Sequence, residues 1–226
     1  MKRGMDLPGM TGGKRALDLV LALVLGAIFI LPVIGALGVM WLRQGRPFFH
    51  LSERMQTPHD AFLLFKLRTM RPDSGDFGVS GGDKAARITP MGRFLRRTRA
   101  DELPQLVNIV LGEMSFVGPR PPLRRYVEAR SDLYAQVLSI PTGVTGLASL
   151  VYHAHEERML ARCETPQETE RTYLRRCVPR KARLDLIYRA NRGLGFDLWL
   201  IWLTLGRSLR LVPRGGRLPR PPGRRG

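Results

Sequence analysis

Asp101 and Glu102 stand side by side, directly after a stretch from Arg87 to Arg99 that holds five arginines and no acid. Leu103, Leu106, Val107, Val110 and Leu111 then recur at helical spacing, so a short amphipathic helix is expected to begin near Asp101 and to end at Gly112. At a helix start the macrodipole favours negative charge and lowers a carboxylate pKa. Adjacent side chains on a helix diverge by about 100°, which lets one carboxylate hold a metal while the other faces a substrate. A plainer reading stands beside this one: Asp101 caps the helix and pairs at the surface with Arg97 or Arg99. The arginines divide in the same way. A charge run is ordinarily a solvated face, yet Arg96, Arg97, Arg99 and Arg120 lie in the segments that bracket the acids. Guanidinium binds phosphate bidentately, and a pyrophosphate substrate needs such neutralisation, shared with Mg2+.

Other chemistry is weakly represented. His153 and His155 lie two apart and would share one face of a strand, but no third zinc ligand of suitable spacing accompanies them. Cys163 and Cys177 are too far apart for a CxxC site and read as reduced thiols. There is no Walker A motif, no GxGxxG and no nucleophile elbow.

Several elements must position the acidic pair. From Leu19 to Leu42 there are 24 residues without a charge, enough for a helix of about 36 Å, against a bilayer core of roughly 30 Å. Pro32 sits near its middle, Lys14 and Arg15 precede it, and Arg43 and Arg46 follow. One reading is an ordinary spanning helix with a tolerated proline. The other is a re-entrant helix that bends at Pro32 and leaves on the side it entered, which cations at both ends favour. Residues 47–70 suggest a small hairpin turning at Thr57-Pro58-His59-Asp60, and 71–86 a Gly-, Asp- and Ser-rich loop. Thr89-Pro90 suits a helix start. Residues 122–138 read as one helical stretch. Thr165-Pro166-Gln167-Glu168 is a capping box opening a helix to about 177, and Pro179 restarts one to about Asn191. The last helix, Phe196 to Leu211, is either a core helix or an interfacial one, with Trp199 and Trp202 at headgroup depth and Arg207 and Arg210 facing lipid phosphates.

Composition bounds the partners. The 226 residues carry 37 Lys plus Arg against 19 Asp plus Glu, a formal charge of +18. An apolar fraction of 44% excludes a disordered chain. Taken whole, +18 suggests a nucleic-acid binder. Along the chain it separates into seven tail arginines at 207–226, a cluster around the acidic pair and brackets on the apolar segment. Anionic membrane lipids, rather than nucleic acid, then become the expected partner of the tail. A non-enzymatic membrane scaffold that binds anionic lipid or nucleic acid through its arginines is the alternative to an enzyme.

The motifs KRALD (14–18), GRPFF (45–49), KLRTM (66–70), RITPMGRFLRR (87–97), ADELPQLVNIVLGEMSFVGPRPP (100–122), GVTGLAS (143–149) and DLWLIWLTL (197–205) occur in this order. In this the chain resembles the bacterial sugar transferases, the monotopic polyprenyl-phosphate phosphoglycosyl transferases, and among them the small members that consist of the catalytic domain alone. The resemblance implies transfer of a sugar-1-phosphate from a nucleoside diphosphate sugar, usually a UDP-sugar, to undecaprenyl phosphate, the first membrane step of exopolysaccharide, capsule, O-antigen or glycoprotein glycan synthesis. It makes Asp101 the nucleophile that forms a phosphosugar–aspartyl intermediate, Glu102 the Mg2+ ligand and Pro32 the membrane hinge. Arg96, Arg97, Arg120 and Lys66 become the residues expected at the substrate phosphates. The implied location is the cytoplasmic face of the bacterial inner membrane. The chain departs from the family pattern at 141–146, with one extra residue, and at Ser149, where Gln is usual; with Glu156 and Glu157 these changes bear on sugar or nucleotide preference.

The expected fold is α+β and mostly helical. Residues 1–13 form a flexible N-terminus, 14–43 the re-entrant helix, 44–206 a catalytic domain with a small hairpin and several short amphipathic and interfacial helices, and 207–226 a disordered basic tail.

Overall fold

The computed structural model describes residues 7–72, 79 and 81–208. The first six residues of the expected N-terminal arm, positions 73–78 and 80 of the expected loop, and the tail beyond Ser208 with Arg210 lie outside the described residues.

The fold is α+β and mostly helical. Helix α1 (Gly12–Gln44) opens on Thr11, whose side chain accepts the Lys14 amide, and has Pro32 within it. Among the described residues it is the one helix long and apolar enough to cross a membrane. Its middle is bare: Leu23, Ile28 and Leu31 are 66%, 60% and 75% exposed. On either side of it one face of the helix docks on the rest of the fold, although Trp41 and Leu42 near its end stay exposed. Ala22 packs with Ile109, Phe116 and Leu200, while Met40 packs with Leu67 and Leu95. Lys14 and Arg15 do not serve as headgroup brackets. Lys14 Nζ is buried against Asp197 Oδ2 at 2.6 Å. Arg15 donates to the carbonyls of Ile109 and Val110, orphan acceptors at the end of a helix described below.

Strands β1 (Phe49–Met55) and β2 (Ala61–Leu67) form the expected antiparallel hairpin, with Phe49 opposite Leu67 and Met55 opposite Ala61. Its turn closes where Thr57 Oγ1 bonds both the Asp60 side chain and the Asp60 amide. The segment after it is partly ordered: Gly82–Arg87 is a 3-10 helix rather than loop. Helix α2 (Pro90–Thr98) has Thr89 as N-cap and Pro90 in its first turn, as the sequence predicts.

The acidic pair does not begin the next α-helix. Ala100–Glu102 is a 3-10 turn, and α3 (Gln105–Leu111) follows it, ending at Gly112 with φ 79°. Strand β3 (Ser115–Val117) pairs in parallel with β4 (Gly143–Thr145). The two backbones run so close that a Cβ on Gly143 would collide with Gly118.

The expected stretch at 122–138 is two helices, α4 (Arg124–Ala129) and α5 (Ser131–Val137), broken at Arg130, which leaves helical geometry with ψ 53°. Helix α6 (Leu147–Leu160) carries His153 and His155, so they share no strand face; two residues apart on a helix, they diverge by about 200°. Thr165 caps α7 (Pro166–Thr172) by accepting the Glu168 amide, and Glu168 in turn accepts the Glu164 amide. Pro179 does not restart the chain after a gap. The helix passes through a π turn, Tyr173–Cys177, directly into α8 (Val178–Asn191). A proline ring clashes with the carbonyl four residues before it and has no N–H to offer, and widening that turn relieves both. Helix α9 (Leu194–Ser208) is amphipathic: Leu200 and Leu203 are buried, while Leu198, Trp202 and Leu205 are at least half exposed.

Besides the small cluster of Met40, Leu67 and Leu95, two larger apolar clusters hold these parts. One joins β2, α3, β3 and α9 to α1 through Phe62, Ile109, Phe116, Leu200 and Ala22. The other joins α4, α5, α6 and α8 through Tyr126, Tyr134, Tyr152, Tyr173 and Ala182. A cavity of about 920 Å3 is lined by residues of the second cluster and by β1, β2, α2 and the 3-10 turn.

Candidate active site

The site forms where β2 meets the 3-10 turn. Asn108 of α3 is fully buried and fixes that meeting: its Oδ1 accepts the Phe65 amide at 3.1 Å, and its Nδ2 donates to the Leu63 carbonyl at 2.8 Å. The hairpin is thereby held against the helix that follows the acids, which brings Lys66 to Glu102. At the other side of the turn Arg99 adopts the left-handed conformation, φ 62°. A non-glycine residue there is uncommon and costs about 1 kcal/mol or more, a cost found mainly where surrounding structure and function impose it. This bend turns Asp101 and Glu102 into the cavity instead of continuing α2.

Glu102 is the electrostatic hub. Its Oε1 accepts Arg120 Nη2 at 2.6 Å and lies 3.4 Å from Lys66 Nζ, and its Oε2 is 3.7 Å from Arg99. Burial alone would push this carboxyl up. Arg120, Lys66 and Arg99 outweigh that and hold it well below the usual carboxylate range. The Lys66 pKa is lowered as well, which for an ammonium disfavours the charged form. Burial and the Arg120 charge lower it to about 8, against the pull of Glu102.

Asp101 differs from its neighbour. It is 8% exposed, and its Oδ1 is buried with no hydrogen-bond partner among the described residues. Burial and the Glu102 charge raise its pKa, opposed by Lys66, Arg99 and Arg120. The macrodipole expectation therefore fails for Asp101: a 3-10 turn of three residues has little dipole, and desolvation wins. The capping reading fails too, because no side chain caps α3, and it is Glu102 rather than Asp101 that pairs with Arg99.

The other expected residues converge on the same cavity. Arg96 Nε donates to Thr69 Oγ1 at 2.9 Å, and Arg96, Arg97, Lys66 and Arg120 all line the cavity with the acidic pair. Pro32 lies away from it, inside α1. Arg207 does not face lipid phosphate; it lines the cavity and donates to the Leu150 carbonyl. Residues not foreseen as site members also appear. Arg54 of β1 lines the wall, where burial and Arg120 lower its pKa to about 10. His153 lines the cavity from α6 with its side chain 45% exposed and its Nε2 3.4 Å from Glu157 Oε1; partial desolvation, Arg99 and Arg120 lower its pKa. The only signal for Arg54 was its place on a strand sharing a hairpin with Lys66. Strand alternation would put His153 and His155 on one face; the helical α6 brings His153 alone to the cavity.

Among the described residues no group of three or more His, Cys, Asp or Glu side chains forms a metal cage. The donors present suit Mg2+ of a different kind, one held by one or two carboxylates together with substrate phosphates. Among the described residues Asp101 Oδ1 has no hydrogen-bond partner, and Glu102 Oε2 lies 3.7 Å from Arg99, outside hydrogen-bond distance.

A buried carboxylate without a partner among the described residues, ringed by guanidinium and ammonium groups, has the chemistry to meet a phosphorylated molecule. A family model described as bacterial sugar transferase matches residues 10–210, nearly the whole chain. The chain belongs to the bacterial sugar transferase family. This sugar transferase is 40% identical over 144 residues to a UDP-glucose:undecaprenyl-phosphate glucose-1-phosphate transferase of Caulobacter vibrioides, covering 61% of this chain and 53% of that protein. It is 31% identical over 201 residues to the Escherichia coli protein of the same description, covering 85% and 39%. A UDP-N-acetylgalactosamine-undecaprenyl-phosphate N-acetylgalactosaminephosphotransferase of Aeromonas hydrophila is 29% identical over 206 residues, covering 89% and 44%. The sugar transferase thus spans about half the length, or less, of these relatives.

Proposed function

We propose that this sugar transferase moves a sugar-1-phosphate from a UDP-sugar to undecaprenyl phosphate by way of a covalent phosphosugar–aspartyl intermediate on Asp101. The carrying observation is the contrast within the acidic pair: Glu102 is saturated with cations, while Asp101 Oδ1 is buried and unpartnered. A carboxylate stripped of hydrogen bonds and water is the stronger nucleophile of the two.

In the first step Asp101 Oδ1 attacks the phosphorus that bears the sugar. The bond from that phosphorus to the bridging oxygen breaks, and UMP leaves with the electron pair. In the second step an oxygen of the lipid phosphate attacks the same phosphorus, and the bond to Asp101 breaks to restore the carboxylate. Neither step needs a net proton. Lys66, Arg96, Arg97, Arg99 and Arg120 bind and orient the phosphates and offset the charge that gathers there. Arg120 and Lys66 also keep Glu102 ionised beside Asp101. Mg2+, held by Glu102 Oε2 and substrate oxygens, would supply further charge neutralisation. Two displacements at one nucleophile give ping-pong kinetics.

The shape of α1 supports a re-entrant reading with Pro32 as hinge. Both ends of the helix dock on one body, and the apolar middle is exposed, a surface that lipid would cover. The exposed Leu198, Trp202 and Leu205 of α9 suit an interfacial position. Asp101 then sits at the cytoplasmic face of the bacterial inner membrane, where a soluble nucleotide and a lipid phosphate can both reach it. The product would open exopolysaccharide, capsule, O-antigen or glycoprotein glycan synthesis.

The test is UMP release by the purified protein in lipid nanodiscs with undecaprenyl phosphate, Mg2+ and a panel of UDP-sugars. UMP from at least one sugar, abolished in Asp101→Asn, is expected. No UMP with any member contradicts the reading.

A further inference from the structure

The cavity does not end at the phosphate-facing cations. Beyond Arg54 and His153 it continues between α5, α6, the π turn and α8, and its chemistry changes there. Glu156 Oε1 accepts Lys181 Nζ at 3.0 Å, and Lys181 also donates to the Tyr173 hydroxyl at 3.3 Å. Asp185, one turn further along α8, lines the same end, is 7% exposed and makes no hydrogen bond among the described residues. Burial pushes its carboxyl up to about 7, against the pull of Lys181. A buried acceptor left open toward a cavity costs free energy unless a ligand supplies a donor.

This end belongs to the soluble substrate. It is built into the cluster of Tyr126, Tyr134, Tyr173 and Ala182, which contains no residue of α1. It also opens into the same cavity as the reacting centre, where Arg120 bonds Glu102 beside Asp101. The group that fits is neutral, rich in hydroxyl donors and attached close to the phosphate. A pyrimidine base fits less well. It would seek a ring face, and Tyr173 packs its ring on Tyr126, with centroids 4.7 Å apart.

We propose that Glu156, Lys181 and Asp185, with the Tyr173 hydroxyl, form the subsite that holds the glycosyl residue of the nucleotide sugar and selects it by its hydroxyl pattern. The carboxylates accept hydroxyl hydrogens, and Lys181 donates to a ring-substituent oxygen while fixing Glu156. This rests on the transferase reading above, in that the donor is a nucleotide sugar.

The experiment measures binding of UDP-sugars and of UDP alone to the full chain in nanodiscs by calorimetry, alongside UMP release. The variants are Glu156→Gln and Asp185→Asn, each isosteric, so that either suffices if the other fails to fold. The panel pairs C4 epimers, UDP-glucose with UDP-galactose and their N-acetyl forms. The expected result is a loss of about tenfold in affinity for the preferred UDP-sugar, one hydrogen bond's worth. UDP affinity stays within twofold, and the preference between epimers changes. Equal losses for UDP and UDP-sugars, or no loss for either, would overturn the subsite. If the wild type binds UDP-sugars and these sugar-specific losses appear without UMP release under any condition, the transferase reading fails and the sugar subsite stands.

Discussion

Arg120 Nη2 donates to Glu102 Oε1 at 2.6 Å, and this bond sets the charge state of the residue next to the proposed nucleophile. Removing the guanidinium takes away both the clamp on Glu102 and a phosphate-binding cation. Arg120→Ala is expected to lower kcat by about 10²–10³, the range for loss of one preorganised electrostatic donor. Arg120→Lys recovers part of it, because an ammonium keeps the charge but not the bidentate fork. Steady-state UMP release checks both.

Lys66 gives the pH dependence. Its pKa is lowered to about 8, so the free enzyme loses this cation as pH rises through that value. If the charged form binds substrate phosphate, kcat/KM for the UDP-sugar falls above about pH 8, as that parameter reports the free enzyme. Lys66→Arg stays charged and is expected to remove the fall. A profile unchanged by that substitution would assign the alkaline limb to another group.

The joint between membrane helix and catalytic body is predicted to be stability-critical. Lys14 and Asp197 are buried 2.6 Å apart, and Tyr188 donates to the other Asp197 oxygen at 2.6 Å. Lys14→Met leaves a buried carboxylate without its cation and should cost about 3–5 kcal/mol. Lys14→Met with Asp197→Leu should recover much of that, seen as a thermal midpoint between those of the single variant and the wild type.

Topology is checked by labelling. Cysteines at Gly12 and Arg46, both exposed, flank α1, and the two native cysteines are buried. Both new thiols are expected to react from the cytoplasmic side of sealed vesicles. Labelling from opposite sides would replace the re-entrant helix with a spanning one.

The parts of the fold that the sequence made legible are those fixed by local chemistry. Thr89-Pro90 and Thr165-Pro166 start helices, Gly112 ends one, and Thr57 to Asp60 turns the hairpin, because capping and turn bonds need only nearby atoms. What it hid depended on distant partners. Lys14 and Arg15 looked like membrane flanks and are instead satisfied by Asp197 and by the α3 carbonyls. The 3-10 turn at Asp101 is imposed by the left-handed Arg99, which no helical periodicity reveals. The acidic pair and the arginines were readable as a phosphate site from their types. Glu156 enters from sequence only through the family resemblance, while Lys181 and Asp185 carry no local signal, since they reach the cavity from α8 only through tertiary packing.

Mass spectrometry tests the covalent step directly. The protein is incubated with its UDP-sugar and Mg2+ without lipid acceptor, quenched, and the peptide containing Asp101 is analysed by mass spectrometry. The account predicts a phosphosugar adduct on Asp101, absent from Asp101→Asn and discharged on adding undecaprenyl phosphate. An enzyme that turns over with undecaprenyl phosphate yet carries no adduct, or carries it on another residue, would contradict it.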